Sequence, residues 1–215
     1  MNSPSNPNLP LAYQEGFAYF YGRKFLVTPA TLIPRPETED IIRLVIASEA
    51  KQSSQKILDI GTGTGIIPIT LSLELKNISI TATDISPAAL KVAKQNTALH
   101  KVTDKTTFIK SDLFQNLQDK KYDIICANLP YVDKTWPWLD QKALAHEPAI
   151  ALYTKDHGLY LIKKLIREAS SHLAKKGHLL LEADPSQHKN IINYATTHHL
   201  TLHQTKNYIL NFTKH

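Results

Sequence analysis

Asp59, Asp84, Asp112 and Asn128 each end or follow a short apolar run, in a chain that alternates strand-like and helix-like segments. Asp59 directly precedes Ile60-Gly61-Thr62-Gly63-Thr64-Gly65, a glycine turn between an apolar strand and a helix. Glycines there permit a tight turn and let a ligand approach the backbone closely, although such a turn can also serve only to pack helix on strand. The spacing is G-x-G-x-G and not the G-x-G-x-x-G of dinucleotide sites. A carboxylate just before the first glycine would repel a pyrophosphate, but it suits a cationic group such as an ammonium. Asp84 ends the next strand, where a carboxylate can accept both hydroxyls of a ribose. Asp112, in Ser111-Asp112-Leu113-Phe114, can accept the exocyclic amine of an adenine with Leu113 packed on the ring; taken alone it reads as a turn residue. One adenosyl ligand with a cationic tail would satisfy Asp59, Asp84 and Asp112.

Asn128-Leu129-Pro130-Tyr131 follows the next apolar run directly. Asn and Pro are common where a strand simply stops. The motif also suits chemistry on a planar NH₂. An amide nitrogen is a poor nucleophile, because its lone pair is delocalised into the carbonyl. The Asn128 side-chain oxygen can accept one N–H and the Leu129 backbone carbonyl the other. These bonds favour partial pyramidalisation and aim the lone pair, a positioning effect of several kcal/mol. Tyr131 would pack against the planar group. A carboxylate substrate has no N–H to offer two acceptors and is rejected.

These residues need strands to carry them to one edge. Phe17 to Val27 around Gly22 reads as a hairpin, and a helix starts near Pro36 with Ile41, Ile42, Val45 and Ile46 on its buried face. Strands are expected at 56–60, 78–83, 106–109, 122–127 and 178–183, with helices at 65–75, 87–100, 156–175 and 187–198. Ser86 and Pro87 form an N-cap and first-turn proline for the second of these helices. Segments 200–204 and 208–213 close the chain as an antiparallel pair. Repeated strand–helix units imply a mostly parallel sheet covered on both faces, with ligands at the carboxyl ends of its strands.

The composition limits the alternatives. The chain has 215 residues, 42% hydrophobic and 20% charged, which fits one globular domain. No apolar run approaches the roughly 20 residues of a membrane span. Residues 1–10 are polar and rich in Pro and Asn, and read as a flexible leader and not as a signal peptide. The single cysteine, Cys126, excludes an internal disulfide, suits a cytoplasmic location and reads as a buried structural thiol. The net charge of +6 favours an acidic partner or is ordinary solubility charge, and no Lys/Arg block points to nucleic acid. The ten histidines form no metal-ligand pattern; His199 and His203 straddle a strand, so no metal is expected.

From about Leu11 to the C-terminus the chain resembles the release factor glutamine methyltransferases of the HemK/PrmC type. The resemblance rests on Leu32-Ile33-Pro34-Arg35-Pro36-Glu37-Thr38-Glu39, Ile57 to Gly65, Thr83-Asp84-Ile85-Ser86-Pro87-Ala88-Ala89-Leu90, Glu147-Pro148-Ala149-Ile150-Ala151-Leu152 and Leu179-Leu180-Leu181-Glu182. The glycine and Asp84 blocks occur in many methyltransferases; the Pro34-to-Glu39 block together with the Asn128 motif is more specific. The resemblance implies an α/β, Rossmann-like class I fold. Its mostly parallel seven-stranded sheet has helices on both faces and an antiparallel C-terminal strand. Residues 11–55 would form a hairpin and helix leading into a methyltransferase domain at 56–215.

The implied cofactor is S-adenosylmethionine, with S-adenosylhomocysteine as product and no metal. The candidate cofactor residues are Asp59, Gly61, Thr62, Gly63, Thr64, Gly65, Asp84, Ile85, Asp112, Leu113 and Asn128. Asn128, Leu129, Pro130 and Tyr131 would hold the glutamine of a release factor's Gly-Gly-Gln loop, and a monomer is expected. Arg35 and Glu182 would border the site. The family motif is Asn-Pro-Pro-Tyr, so Leu129 is a departure that keeps the backbone carbonyl but loses proline's fixed φ. Family members also carry a small N-terminal helical domain, which this chain is expected to lack. Asn-Leu-Pro-Tyr is also similar to the motif of the ribosomal-RNA dimethyladenosine enzymes, which makes adenine N6 in RNA the main rival. No separate basic or aromatic RNA-binding domain supports it. A ribosomal-protein glutamine and a catalytically degenerate cofactor-binding module are the other readings.

Overall fold

A computed structural model of the chain describes residues 9–49, 55–118 and 120–214. The leader expected at 1–10 lies outside the described residues as far as residue 8. In chain order the elements begin with α1 (Leu11–Glu15), β1 (Phe17–Phe20) and β2 (Arg23–Leu26). A 3-10 turn over Pro36–Thr38 then opens α2 (Glu39–Glu49). The alternating part runs β3 (Gln55–Ile60), α3 (Ile66–Glu74), β4 (Ile78–Asp84), α4 (Pro87–Leu99), β5 (Thr106–Lys110) and β6 (Tyr122–Ala127). It continues through α5 (Gln141–Leu144), α6 (Ala149–Leu152), α7 (Tyr160–His172), β7 (Leu173–Glu182), α8 (His188–Thr196), β8 (Leu200–Lys206) and β9 (Ile209–Lys214).

The β1–β2 hairpin turns through Tyr21 and Gly22, both with positive φ, which matches the right-handed twist of the two strands. Seven strands form the main sheet in the order β5-β4-β3-β6-β7-β9-β8. The pairings β3–β4, β3–β6, β4–β5 and β6–β7 are parallel, and β9 runs antiparallel to both its neighbours. This is the mostly parallel, Rossmann-like sheet expected from the sequence, with antiparallel pairing at its C-terminal end. Strand order reverses at β3, whose neighbours are β4 on one side and β6 on the other. Ligands in such sheets bind at the carboxyl ends beside that switch point.

Alternation along the strands divides the core. Leu58, Ile60, Ile125, Ala127, Leu179 and Leu181 pack with Ile162, Leu165 and Ile166 of α7 and Ile191 of α8. On the other face Ile57, Ile80, Ile124, Cys126 and Leu180 pack with Ile41, Ile42 and Val45 of α2 and Ile67, Ile69 and Leu71 of α3. Both faces are covered, so the central strands read as continuous apolar runs. Ser86 caps α4 by accepting the Ala89 N–H at 3.2 Å, with Pro87 in the first turn. The helix expected at 156–175 is shorter. Asp156, His157 and Gly158 all have positive φ, which no right-handed helix tolerates, and pairing of Leu173 with Tyr122 captures the other end for β7.

Asn96 of α4 ties the N-terminal hairpin to this sheet. Its side chain accepts from Leu26 N at 2.7 Å and donates to Leu26 O at 3.0 Å and to Thr64 O at 2.9 Å. Asn96 is fully buried, so truncation strands three backbone groups. Asn96→Ala is expected to lower the unfolding free energy by about 2–4 kcal/mol, read as a shift in the urea midpoint at unchanged m-value.

Candidate active site

At the carboxyl edge of the sheet lies a cavity of about 300 Å³, within the range of small-ligand sites. The tips of β3, β4, β5 and β6 form its floor, and residues 30–35, Ile150 and Tyr160 border it. The wall includes Gly61, Thr62, Gly63, Thr64, Asp84, Ile85, Asp112, Leu113, Asn128, Leu129 and Pro130. Of the residues singled out from sequence, Asp59, Gly65 and Tyr131 are not in that wall.

Each of the three has a physical reason to stand back. Gly65 starts α3 with φ +80°, and a Cβ there would stand 3.1 Å from Ile69 and 3.2 Å from Ala93, so this glycine serves helix packing. Asp59 lies beside Cys126 on the β3 face of Ile57, the face packed by α2 and α3. It is 1% exposed, and neither carboxylate oxygen has a hydrogen-bond partner. Burial pushes its pKa up to about 7; the nearby Thr62 hydroxyl opposes the shift and the negative charge of Asp84 adds to it. Tyr131 turns its hydroxyl to Glu182 instead of to the cavity.

Asp84 is presented differently. Its Oδ2 accepts the Gly63 N–H at 2.9 Å and its Oδ1 the Ser86 N–H at 2.8 Å. Two backbone donors hold the carboxylate rigidly, and its remaining lone pairs can meet a ligand's hydroxyls. Ile85, nearly half exposed, and buried Leu113 supply apolar surface beside it. Leu113 adopts φ +48°, a strained conformation for leucine and of a kind that clusters at ligand sites. Asp112 reaches the wall already paired, its two oxygens 3.1 and 3.0 Å from Lys164 Nζ on α7.

Asn128 sits in a hydrogen-bond chain that joins distant segments. Its Nδ2 donates to Thr38 Oγ1 at 3.0 Å, and Thr38 Oγ1 donates to Glu182 Oε2 at 2.7 Å. The Tyr131 hydroxyl donates to the other oxygen of Glu182 at 3.1 Å. Glu182 is 1% exposed, and burial pushes its pKa up to about 7. Behind the motif, Gln187 Nε2 donates to Tyr131 O and to His157 O, each at 2.9 Å. Glu147 accepts the Ile33 N–H at 3.0 Å and pairs with Arg35, which pins the 33–35 segment beside the cavity.

Thr38, Glu147, Lys164 and Gln187 received no role from sequence reasoning. Thr38 lies in the Leu32-to-Glu39 motif and Glu147 opens the Glu147-to-Leu152 motif, and the signal in each is a polar residue inside an otherwise patterned stretch. Among the described residues no group of three His, Cys, Asp or Glu side chains is placed to hold a metal ion, and no helix is long and apolar enough to cross a membrane. Cys126 is fully buried, and burial pushes its thiol pKa up.

The methyltransferase small domain family matches residues 41–145. A release factor glutamine methyltransferase of Francisella tularensis is 40% identical over 80% of this chain and 61% of its own length. A bifunctional methyltransferase of Rickettsia bellii is 36% identical over 80% of this chain and 36% of its own length. The chain thus spans less than two thirds of each of these curated relatives. Among solved structures, a methyltransferase from Pyrococcus furiosus superposes with a TM-score of 0.67, at 19% identity over 90% of both chains, a likeness of fold.

Two glycines bear different loads. A Cβ on Gly158 would stand 1.9 Å from Tyr131 O, whereas on Gly61 it would meet the flexible Leu129 Cδ2 at 2.9 Å. Gly158→Ala should therefore destabilise by about 3 kcal/mol or more, and Gly61→Ala by about 1–2 kcal/mol from its positive φ alone. Urea denaturation of both variants gives the ranking. Asp59 yields a pH prediction. A folded pKa raised above the unfolded carboxylate value means stability is lost as pH rises through about 7. The thermal stability of Asp59→Asn, relative to the parent protein and without ligand, should gain as pH rises from about 5 to about 8. A constant difference between the two would refute the assignment.

Proposed function

We propose a function from this premise: the chain belongs to the HemK/PrmC type of methyltransferase. It transfers a methyl group from S-adenosylmethionine to the side-chain amide nitrogen of a protein glutamine. The substrate we propose is the Gly-Gly-Gln glutamine of a peptide chain release factor. The observation that carries this reading is the committed amide of Asn128. With Nδ2 engaged by Thr38, its carbonyl oxygen is left to accept from an incoming NH₂ at the cavity wall.

The residues present fit the cofactor. A buried carboxylate without a partner, Asp59, lies on the strand that leads into the glycine turn and favours a cationic group close by. Asp84 would take the ribose hydroxyls, Ile85 and Leu113 the adenine faces, and Gly61 to Gly63 the backbone approach. Asp112 would act on the adenine edge as an ion pair with Lys164. When bound, the cofactor supplies an electrophilic methyl group on a sulfonium that is a good leaving group.

The chain's own residues then have a limited task. Asn128 Oδ1 and the Leu129 carbonyl accept the two N–H bonds of the target amide and hold the nitrogen's lone pair forward. No strong base is needed before attack, because the proton can leave afterwards. The Tyr131 hydroxyl and Gln187 fix the segment that carries both acceptors. Leu129, 6% exposed, packs against Gly61 and couples the acceptor motif to the glycine turn.

The test is transfer of labelled methyl to intact release factor, to its Gln→Ala variant and to ribosomal RNA. Label on the intact factor alone is the expected result. Label on RNA alone selects adenine N6 methylation, and cofactor binding without transfer selects a degenerate module. Asn128→Ala should lower kcat by about 10²–10³-fold.

A further inference from the structure

Asn128 can serve as an acceptor only if its amide faces one way. The two ends of a carboxamide are nearly the same size, so shape alone does not choose between them. The choice is made elsewhere. Ionised Glu182 can only accept hydrogen bonds. Thr38 Oγ1, 2.7 Å from Glu182 Oε2, must therefore give its single proton to the carboxylate. A hydroxyl that has spent its proton can only accept from its other neighbour, and that neighbour is Asn128 Nδ2 at 3.0 Å. The Asn128 oxygen is thereby left for the cavity.

We propose that Glu182 is a positioning residue: as an acceptor-only carboxylate it sets the hydrogen-bond polarity of Thr38 and, through Thr38, turns the Asn128 oxygen toward the methyl-accepting amide. The inference rests on the acceptor role given to Asn128 above, and it goes further by naming what enforces that role. A neutral Glu182 side chain can donate to Thr38, which frees the hydroxyl to donate to the Asn128 oxygen. The amide then reverses and offers N–H to a substrate that also offers N–H. The Tyr131 hydroxyl, 3.1 Å from Glu182 Oε1, donates to the same carboxylate and keeps its geometry fixed.

The surroundings make the relay sensitive to pH. Glu182 is buried, and the ionisable groups that act on it or feel it are Glu37 beside Thr38, Tyr131 after β6 and Tyr208 before β9. Burial is the largest influence and Glu37 adds to it, while hydrogen bonds from Thr38, Tyr131 and Asn128 oppose it, and the pKa stands raised to about 7. The ionised, polarity-setting form is therefore lost as pH falls below that value.

The experiment reads the Asn128 side-chain NH₂ by ¹⁵N NMR in the full chain between about pH 5 and pH 9, alongside methyl-transfer kinetics. In the parent protein the Asn128 signals should titrate near pH 7. The titration should vanish in Glu182→Gln and Thr38→Val and persist in Thr38→Ser. Asp59, which titrates in the same range, is still present in all three variants and serves as the internal control. Glu182→Gln and Thr38→Val should lose about 100-fold in kcat with cofactor KM within about twofold, and Thr38→Ser should recover most of the rate. Asn128 signals that ignore pH in the parent protein, a measurement that needs no variant, would overturn the relay. So would a Thr38→Val enzyme with undiminished kcat. A titrating Asn128 in a protein that methylates no glutamine supports the relay and refutes the substrate reading instead.

Discussion

Parallel pairing of β3, β6 and β7 in register is the constraint on which the site depends. Ile60 lies beside Ala127, and Ala127 beside Leu181. The next residues along the three strands are Gly61, Asn128 and Glu182, so one row of ladder hydrogen bonds delivers the glycine turn, the Asn128 amide and the buried carboxylate to adjacent points. A slip of one residue would turn each side chain to the opposite face. The apolar alternation that fills both cores prevents that slip. Ile124, Cys126 and Leu180 belong to one face, and Ile125, Ala127 and Leu181 to the other. Packing energy thus enforces the geometry of the site indirectly.

Two buried carboxylates stand out against that packing. Glu182 is satisfied by Thr38 and Tyr131, whereas Asp59 has no partner for either oxygen. An uncompensated buried charge destabilises a fold, and such groups concentrate at functional sites. The satisfied carboxylate is hydrogen-bonded to Thr38, which in turn holds Asn128, and the other lies on the strand that leads into the glycine turn. Lys164 shows the opposite arrangement, since it neutralises Asp112 at the cavity wall before any ligand arrives.

Leu129 departs from the family's proline without undoing the arrangement. Its backbone carbonyl survives the change, and its side chain gains a contact that places Cδ2 where a Cβ on Gly61 would intrude. The loop that loses proline's fixed φ is held instead by packing on the glycine turn and by the Gln187 bridge between Tyr131 and His157. Asp156, His157 and Gly158, all with positive φ, bring the chain to that bridge, and the Gly158 backbone passes directly against Tyr131 O.

Much of this was legible from the order of residues alone. Strand tips at Asp84 and Asn128, the glycine turn, the Ser86-Pro87 helix start and the alternating α/β class all follow from local rules: period, capping and the backbone freedom of glycine. Local rules also explain the error at 156–175, where helical periodicity continued into residues that the β6 pairing claimed as strand. What the sequence could not decide is who meets whom. Thr38 and Glu182 are 144 positions apart, and Asn128 and Thr38 are 90 apart. Asp59 reads as a cavity residue but is buried outside the cavity wall, because the alternation that puts Leu58 and Ile60 on one face of β3 turns it to the other. Residue type and spacing determined the chemistry available. Long-range packing decided which acceptor is free, because a hydrogen-bond chain has a direction only when all its members are in contact.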